Sequence, residues 1–196
     1  MKNKDFDSYC GIFCEACDIQ VAAKTGIKSK FATFWSEKNI ELYQKSQGYT
    51  YDTKDQFKLK CSGCKSEEVF INCRICKIRE CAISKGVEHC SNCKDYKCLL
   101  FINFEKGKAI LPHLAQAETN LNTIQSVGME AWKMDQTKKW ACPNCQTSFS
   151  WYATSCKNCG ANLKKLSYGS FNWIRSFLFN LGINSMTRKQ KSLNRS

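Results

Sequence analysis

Apolar side chains in this chain fall into short runs at helical spacing, separated by polar stretches that carry most of the cysteines. Between Ser29 and about Lys45, Phe31, Phe34, Trp35, Leu42 and Tyr43 recur at near-helical intervals, and Ser29 is placed to cap the first turn. This predicts one amphipathic helix with its aromatic stripe on a core. A shorter helix is expected from Asp18, acting as its cap, to about Lys24, and a helical piece from Ile78 to Lys85. In the segment from Glu105 to Trp132, Leu114, Ala117, Leu121 and Ile124 form a stripe, Pro112 suits a first turn and Gly128 marks an end.

Phe149, Trp151 and Tyr152 lie between two pairs of cysteines and predict a small β-hairpin. From Ser170 to Ile183 a final helix carries Phe171, Trp173, Ile174, Phe177, Leu178 and Leu181 on one face, with Phe179 and Ile183 off it. Such a stripe usually packs on a core, although with its basic neighbours it also suits nucleic acid or an anionic bilayer. Residues 1 to 8 and the polar tail beyond Asn184 read as frayed or disordered, and Gln47 to Gln56 as a loop.

The cysteines change this picture from a helical protein to a metal-organised one. Eight stand in 38 residues from Cys61 to Cys98, written CSGC, CRIC, Cys81, CSNC and Cys98, so the core need not stand on apolar burial alone. The fifteen cysteines are odd in number, and MKNKDFDSYCGIF contains no apolar run of a secretory signal. Thiolate ligands in a reducing cytosol are therefore expected in preference to disulfides, and the expected location is cytoplasmic. No apolar run is long enough for a transmembrane helix.

Cys142-x2-Cys145 with Cys156-x2-Cys159 is the strongest motif: two knuckles place four thiolates for a closed, structural zinc, a set that iron of the rubredoxin kind also accepts. The block supplies Cys61, Cys64, Cys73, Cys76, Cys81, Cys90, Cys93 and Cys98, enough for two further tetrahedral sites whose pairing the spacing leaves open. Cys10, Cys14 and Cys17 form an incomplete C-x3-C-x2-C triad. Either a fourth ligand comes from His89, His113, a carboxylate or the block, or the triad holds an open zinc or an iron–sulfur cluster. The same spacing occurs in radical S-adenosylmethionine enzymes, but the strand–helix repeat of their barrel is absent. No phosphate loop, nucleophile elbow or H-E-x-x-H motif is present.

Charge adds one asymmetry. The net charge is +13, and beyond Asp135 there are ten basic residues and no acidic one. Any nucleic-acid or other polyanion partner therefore belongs to the C-terminal region, where a protein partner is the other candidate.

The order YCGIFCEAC, CSGC, CRICKIRECAISKGVEHCSNCKDYKC resembles the small cysteine-rich prokaryotic proteins grouped as domain of unknown function 3795. GMEAWKMDQTKKWACPNC with SCKNCG resembles the longer members that append a zinc ribbon. The resemblance covers about Tyr9 to Gly160 and implies a metal-binding protein of undetermined activity. A proline often follows the opening triad in that pattern, where this chain has Asp18.

Together these readings predict a small metal-stabilised α+β protein. A helical cysteine-rich module (9–104) is followed by a connecting helix (105–134), a β zinc ribbon (138–164) and a basic aromatic tail (165–196). Its expected function is zinc-dependent and non-catalytic, an interaction or binding module holding several zinc ions. The alternative is an iron–sulfur redox or transfer enzyme with its cluster on the Cys10/Cys14/Cys17 loop.

Overall fold

In the computed structural model, residues 6–48 and 59–193 are described, with side chains up to Arg188. Part of the loop expected from Gln47 to Gln56 lies outside them. The described chain is mainly helical: α1 Asp18–Thr25, α2 Lys30–Phe34, α3 Glu37–Ser46, α4 Ile71–Arg74, α5 Lys77–Ser84, α6 Leu99–Lys106, α7 Gln116–Val127, α8 Met129–Lys139 and α9 Trp173–Leu193.

Several local expectations are revised. The single helix from Ser29 divides into α2 and α3, because Ser36 is extended and Asn39 Nδ2 donates to the Phe34 carbonyl at 2.6 Å, taking an acceptor that a continuous helix would have used. Ser29 caps α2 as expected, accepting from the Ala32 N–H at 3.2 Å. Asp18 is the first residue of α1 and its cap position belongs to Cys17, so the carboxylate is free to serve elsewhere. Gly128, at φ +83°, ends α7 and begins α8.

Of the start expected to be frayed, residues 1–5 lie outside the described residues, and residues 6–8 are ordered into the core. Phe6 is buried against Trp132 with ring centroids 6.4 Å apart, and Asp7 and Ser8 are buried beside it. At the other end the helix runs past Asn184 to Leu193, through Met186, Arg188, Lys189, Gln190 and Lys191, all good helix formers with no glycine or proline among them.

No β-strand is present among the described residues, which overturns the β ribbon. Each knuckle closes on itself: Ala141 bridges Ser148 and Ser155 bridges Asn162 as isolated antiparallel pairs. The residues between them are used for docking. The Trp151 N–H donates to the Ala16 carbonyl at 2.9 Å, and the Tyr168 N–H to the Trp151 carbonyl at 2.8 Å, so this backbone pairs with distant segments instead of forming a hairpin.

One contiguous core runs from Phe6 to Ile183 and includes Trp132, Trp140, Cys142, Cys156 and Leu163. Its aromatic centre is Phe31, Phe34 and Trp35 packed edge-on against Phe171, Tyr43 and Phe70. Phe171, the first member of the predicted stripe, is buried in that centre as expected, but α9 itself lies along α3 through the face opposite to the rest of the stripe. Phe179 packs on Phe34 and Trp35 at 5.4 and 5.5 Å, and Ile183 is 1% exposed. Trp173, Ile174, Phe177, Leu178 and Leu181 face solvent, with Trp173 77% exposed.

Candidate metal centre

The two C-terminal knuckles have the same backbone. The Gln146 N–H donates to the Cys142 carbonyl at 2.8 Å and the Gly160 N–H to that of Cys156 at 2.9 Å; Gln146 and Gly160 take left-handed φ values of +59° and +73°. Each turn thereby brings its two thiols to one side. Cys142 Sγ lies 3.7 Å from Cys159 Sγ, Cys145 Sγ 3.6 Å from Cys156 Sγ, and all four sulfurs fall within 4.8 Å of one another. A zinc–thiolate bond of about 2.3 Å gives tetrahedral edges of about 3.8 Å, so the set fits a single zinc.

The surroundings of these thiols favour their ionised form unequally. The Thr147 hydroxyl, 3.3 Å from its sulfur, and the Asn158 side chain hold Cys145 down to about 5, and the Asn144 side chain lowers Cys159. Burial raises Cys142 to about 11. A bound dication would offset that cost directly.

The N-terminal loop is placed by Gly11. At its φ of +86° a Cβ would stand 2.5 Å from the Ala117 carbonyl oxygen, so only glycine lets the loop meet α7. There Asn120 Nδ2 donates to the Gly11 carbonyl at 2.7 Å. The triad borne by this loop does not converge on one point. Burial and the Cys76 sulfur push Cys10 up to about 11, and burial and the Cys61 sulfur push Cys17 up to about 12. Burial and then the Cys64 and Cys17 sulfurs raise Cys14. The block thus reaches the triad from the other side: Cys73 faces the Cys61, Cys64 and Cys17 sulfurs. Cys90, pushed up to about 12 by burial, feels Cys10, Cys81 and Cys98. Triad and block form one thiol-rich region, less compact than the knuckle set, which alone among the described residues gathers its sulfurs within 4.8 Å.

Neither histidine is available as the missing ligand. His89 accepts at its ring from the Asn92 N–H and contacts Asp7 Oδ2 through Nε2 at 2.8 Å, so Nε2 carries the proton and donates. His113 is stacked on Trp151 at 4.2 Å and bonded to the Tyr152 hydroxyl at 2.8 Å, and burial lowers it to about 3, leaving it a neutral core residue.

The arrangement around Asp7 was not legible in the cysteine spacing. Its carboxylate, buried with Lys65 and His89, accepts from Lys65 Nζ at 2.5 Å, while the Asp7 carbonyl lies 3.5 Å from Cys14 Sγ. Burial opposes its ionisation, but the His89 and Lys65 hydrogen bonds outweigh that and hold the carboxyl below its ordinary value. The only sequence signal is adjacency: Lys65 follows Cys64 and His89 precedes Cys90. Asp18 is the second such residue. It accepts from Ser150 Oγ at 3.0 Å and from the Tyr152 N–H at 3.3 Å, and burial raises it to about 6.

A family model described as "Protein of unknown function (DUF3795)" matches residues 6–103, half of the chain. That span holds the triad and the block and stops before the knuckles. No curated protein and no solved structure matches the chain.

Proposed function

The chain belongs to this family of proteins of unknown function, and from that premise we propose that it is a zinc-binding, non-catalytic interaction protein. A metal-held scaffold presents an adhesive helix to a partner. The observation that carries the reading is the Cys142/Cys145/Cys156/Cys159 set, whose four thiols complete a tetrahedron and leave no position for water or substrate. All fifteen thiols are unpaired, which suits thiolate ligands in a reducing cytoplasm.

The solvent face of α9 supports the interaction role. Trp173, Ile174, Phe177, Leu178 and Leu181 form an exposed apolar strip of a kind that marks contact sites. A protein partner suits this strip better than nucleic acid, since the strip itself is apolar and Arg175 is already engaged with the Tyr168 and Ser170 carbonyls. No described helix is long and apolar enough to cross a membrane.

The test is zinc, iron and acid-labile sulfide analysis of anaerobically purified protein. Colourless protein with stoichiometric zinc supports the reading. Brown protein with visible charge-transfer absorbance would replace it with an iron–sulfur redox or transfer protein, a reading favoured by the looser gathering of thiols around Cys10, Cys14 and Cys17. Phe177→Asp should abolish partner binding, whereas binding that survives it and weakens steeply with salt would point to a polyanion.

A further inference from the structure

Four of the eight block cysteines, Cys81, Cys90, Cys93 and Cys98, line one cavity of about 30 Å³ between α5 and α6, their sulfurs spread more widely than those of the knuckle set. Each reaches it from a different local element. Cys81 lies within α5, Cys90 opens a 3-10 turn, Cys93 follows that turn, and Cys98 is the cap residue of α6. The Cys93 N–H donates to the Cys90 carbonyl at 3.1 Å and the Tyr96 N–H to that of Cys93 at 3.0 Å, two successive tight turns that hold this stretch against the cavity. Lys97, at a left-handed φ of +63°, reverses the chain immediately before Cys98. Such a conformation is unfavourable for lysine and is kept where surrounding structure demands it.

Lys85 stands at the rim. Its Nζ donates to Asp95 Oδ2 at 2.6 Å and to Cys93 Sγ at 3.5 Å. Beyond its ion pair with Asp95, the Lys85 ammonium sets a positive charge and a donor against one of these four thiols. Beside a metal bound by four thiolates, which carries net negative charge, it is a fixed counter-ion that also donates to a ligand sulfur. Behind the thiols the wall is apolar, formed by Ile78, Ala82 and Phe101, and so favours a charge-compensated centre over separate thiolates.

We propose that Cys81, Cys90, Cys93 and Cys98 bind one thiophilic metal centre, a zinc ion or an iron–sulfur cluster, separate from the C-terminal knuckle site and with Lys85 as its fixed counter-cation. The inference deepens the metal-protein reading above and rests on it. It assigns Cys81 and Cys98, the two unpaired cysteines of the block, to one site with the CSNC pair, and leaves CSGC and CRIC to face the opening triad.

The test uses the full-length wild-type protein as purified anaerobically. Its thiols are alkylated in time-resolved fashion during challenge with a chelator and mapped by mass spectrometry, alongside zinc, iron and sulfide content. Cys81, Cys90, Cys93 and Cys98 should begin protected and become reactive together, with a rate distinct from that of the Cys142 set. Lys85→Gln should release this set several-fold faster and leave the Cys142 set unchanged. Coincident release of one zinc, or of iron with sulfide, identifies the centre. Free reactivity of these four thiols in metal-loaded protein, or loss of their protection at different rates, would overturn the proposal. Failure of the Cys142 set alone would instead strike the closed-zinc reading, since the two sets are read out separately.

Discussion

Ser150 donates its hydroxyl hydrogen to Asp18 across 3.0 Å, joining the helix that follows Cys17 to the segment between the two C-terminal knuckles. The Tyr152 N–H meets the other carboxylate oxygen at 3.3 Å, so one buried acid holds two donors from a region 132 positions away. Asp18→Ala would leave both donors buried without an acceptor and is expected to cost about 2–3 kcal/mol. Ser150→Ala should cost only about 1 kcal/mol. Urea denaturation of metal-loaded protein measures both, and equal small effects would show that the knuckles are docked by other contacts.

Removal of metal from the knuckle thiols should disturb more than the knuckles. Cys142 and Cys156 belong to the same core as Trp140, Phe149 and Trp151, and a structural zinc contributes folding free energy outright. Chelation at neutral pH is expected to lower the Tm and to change the near-ultraviolet circular dichroism of these tryptophans. An unchanged spectrum after verified metal loss would refute a structural metal.

The two faces of α9 should respond oppositely to charge. Ile183→Asp places a carboxylate in a fully buried position and is expected to destabilise the fold by about 3 kcal/mol or more. Phe177→Asp, on the solvent face, should stay within about 0.5 kcal/mol of wild type. Comparable losses from both in thermal unfolding would mean that the exposed strip packs on the protein after all.

Gly11→Ala tests how the triad loop is seated. The added Cβ meets a backbone carbonyl at 2.5 Å and Leu121 Cγ at 2.8 Å, in a φ region that alanine avoids, so a loss of about 2–4 kcal/mol is expected. Wild-type stability in that variant would place the loop away from α7.

His113 should make stability depend on pH. Burial depresses its folded value to about 3, below the ordinary 6.5, so its contribution is complete above about 6.5 and is lost as acid protonates the unfolded chain first. The expected slope is about 1.4 kcal/mol per pH unit on descending from about 6.5 towards 3. Acid also releases metal, so the measurement is the difference between wild type and His113→Asn, which keeps an acceptor near Nδ1. Parallel pH profiles for the two proteins would sink the assignment.

The knuckles were legible because four cysteines in two C-x2-C pairs constrain both the turn and the sulfur set locally; their 3.6 and 3.7 Å contacts follow from that spacing. The aromatic core of Phe31, Phe34 and Trp35 was legible from helical periodicity, though the break at Ser36 was not, because Asn39 competes for a carbonyl through a side chain that periodicity ignores. The β ribbon failed for a related reason. The strand preference of Phe149, Trp151 and Tyr152 reports large side chains that want burial, and here a docking surface on the N-terminal loop satisfies it without a partner strand.

What the sequence determined by itself is local: the thiol sets written in close spacing, the helices with clear periodicity, the excess of positive charge after Asp135. Which side of α9 is buried was decided only by tertiary structure, because that helix is apolar on two sides and it is Phe179, against Phe34 and Trp35, and Ile183 that find apolar partners, while Trp173, Ile174, Phe177, Leu178 and Leu181 on the other side do not. The sharing of thiols between triad and block, the cavity that collects Cys81 with Cys98, and the salt-bridged Asp7 all join residues remote in sequence. Spacing carries no information about such meetings, since they are fixed by how the helices pack.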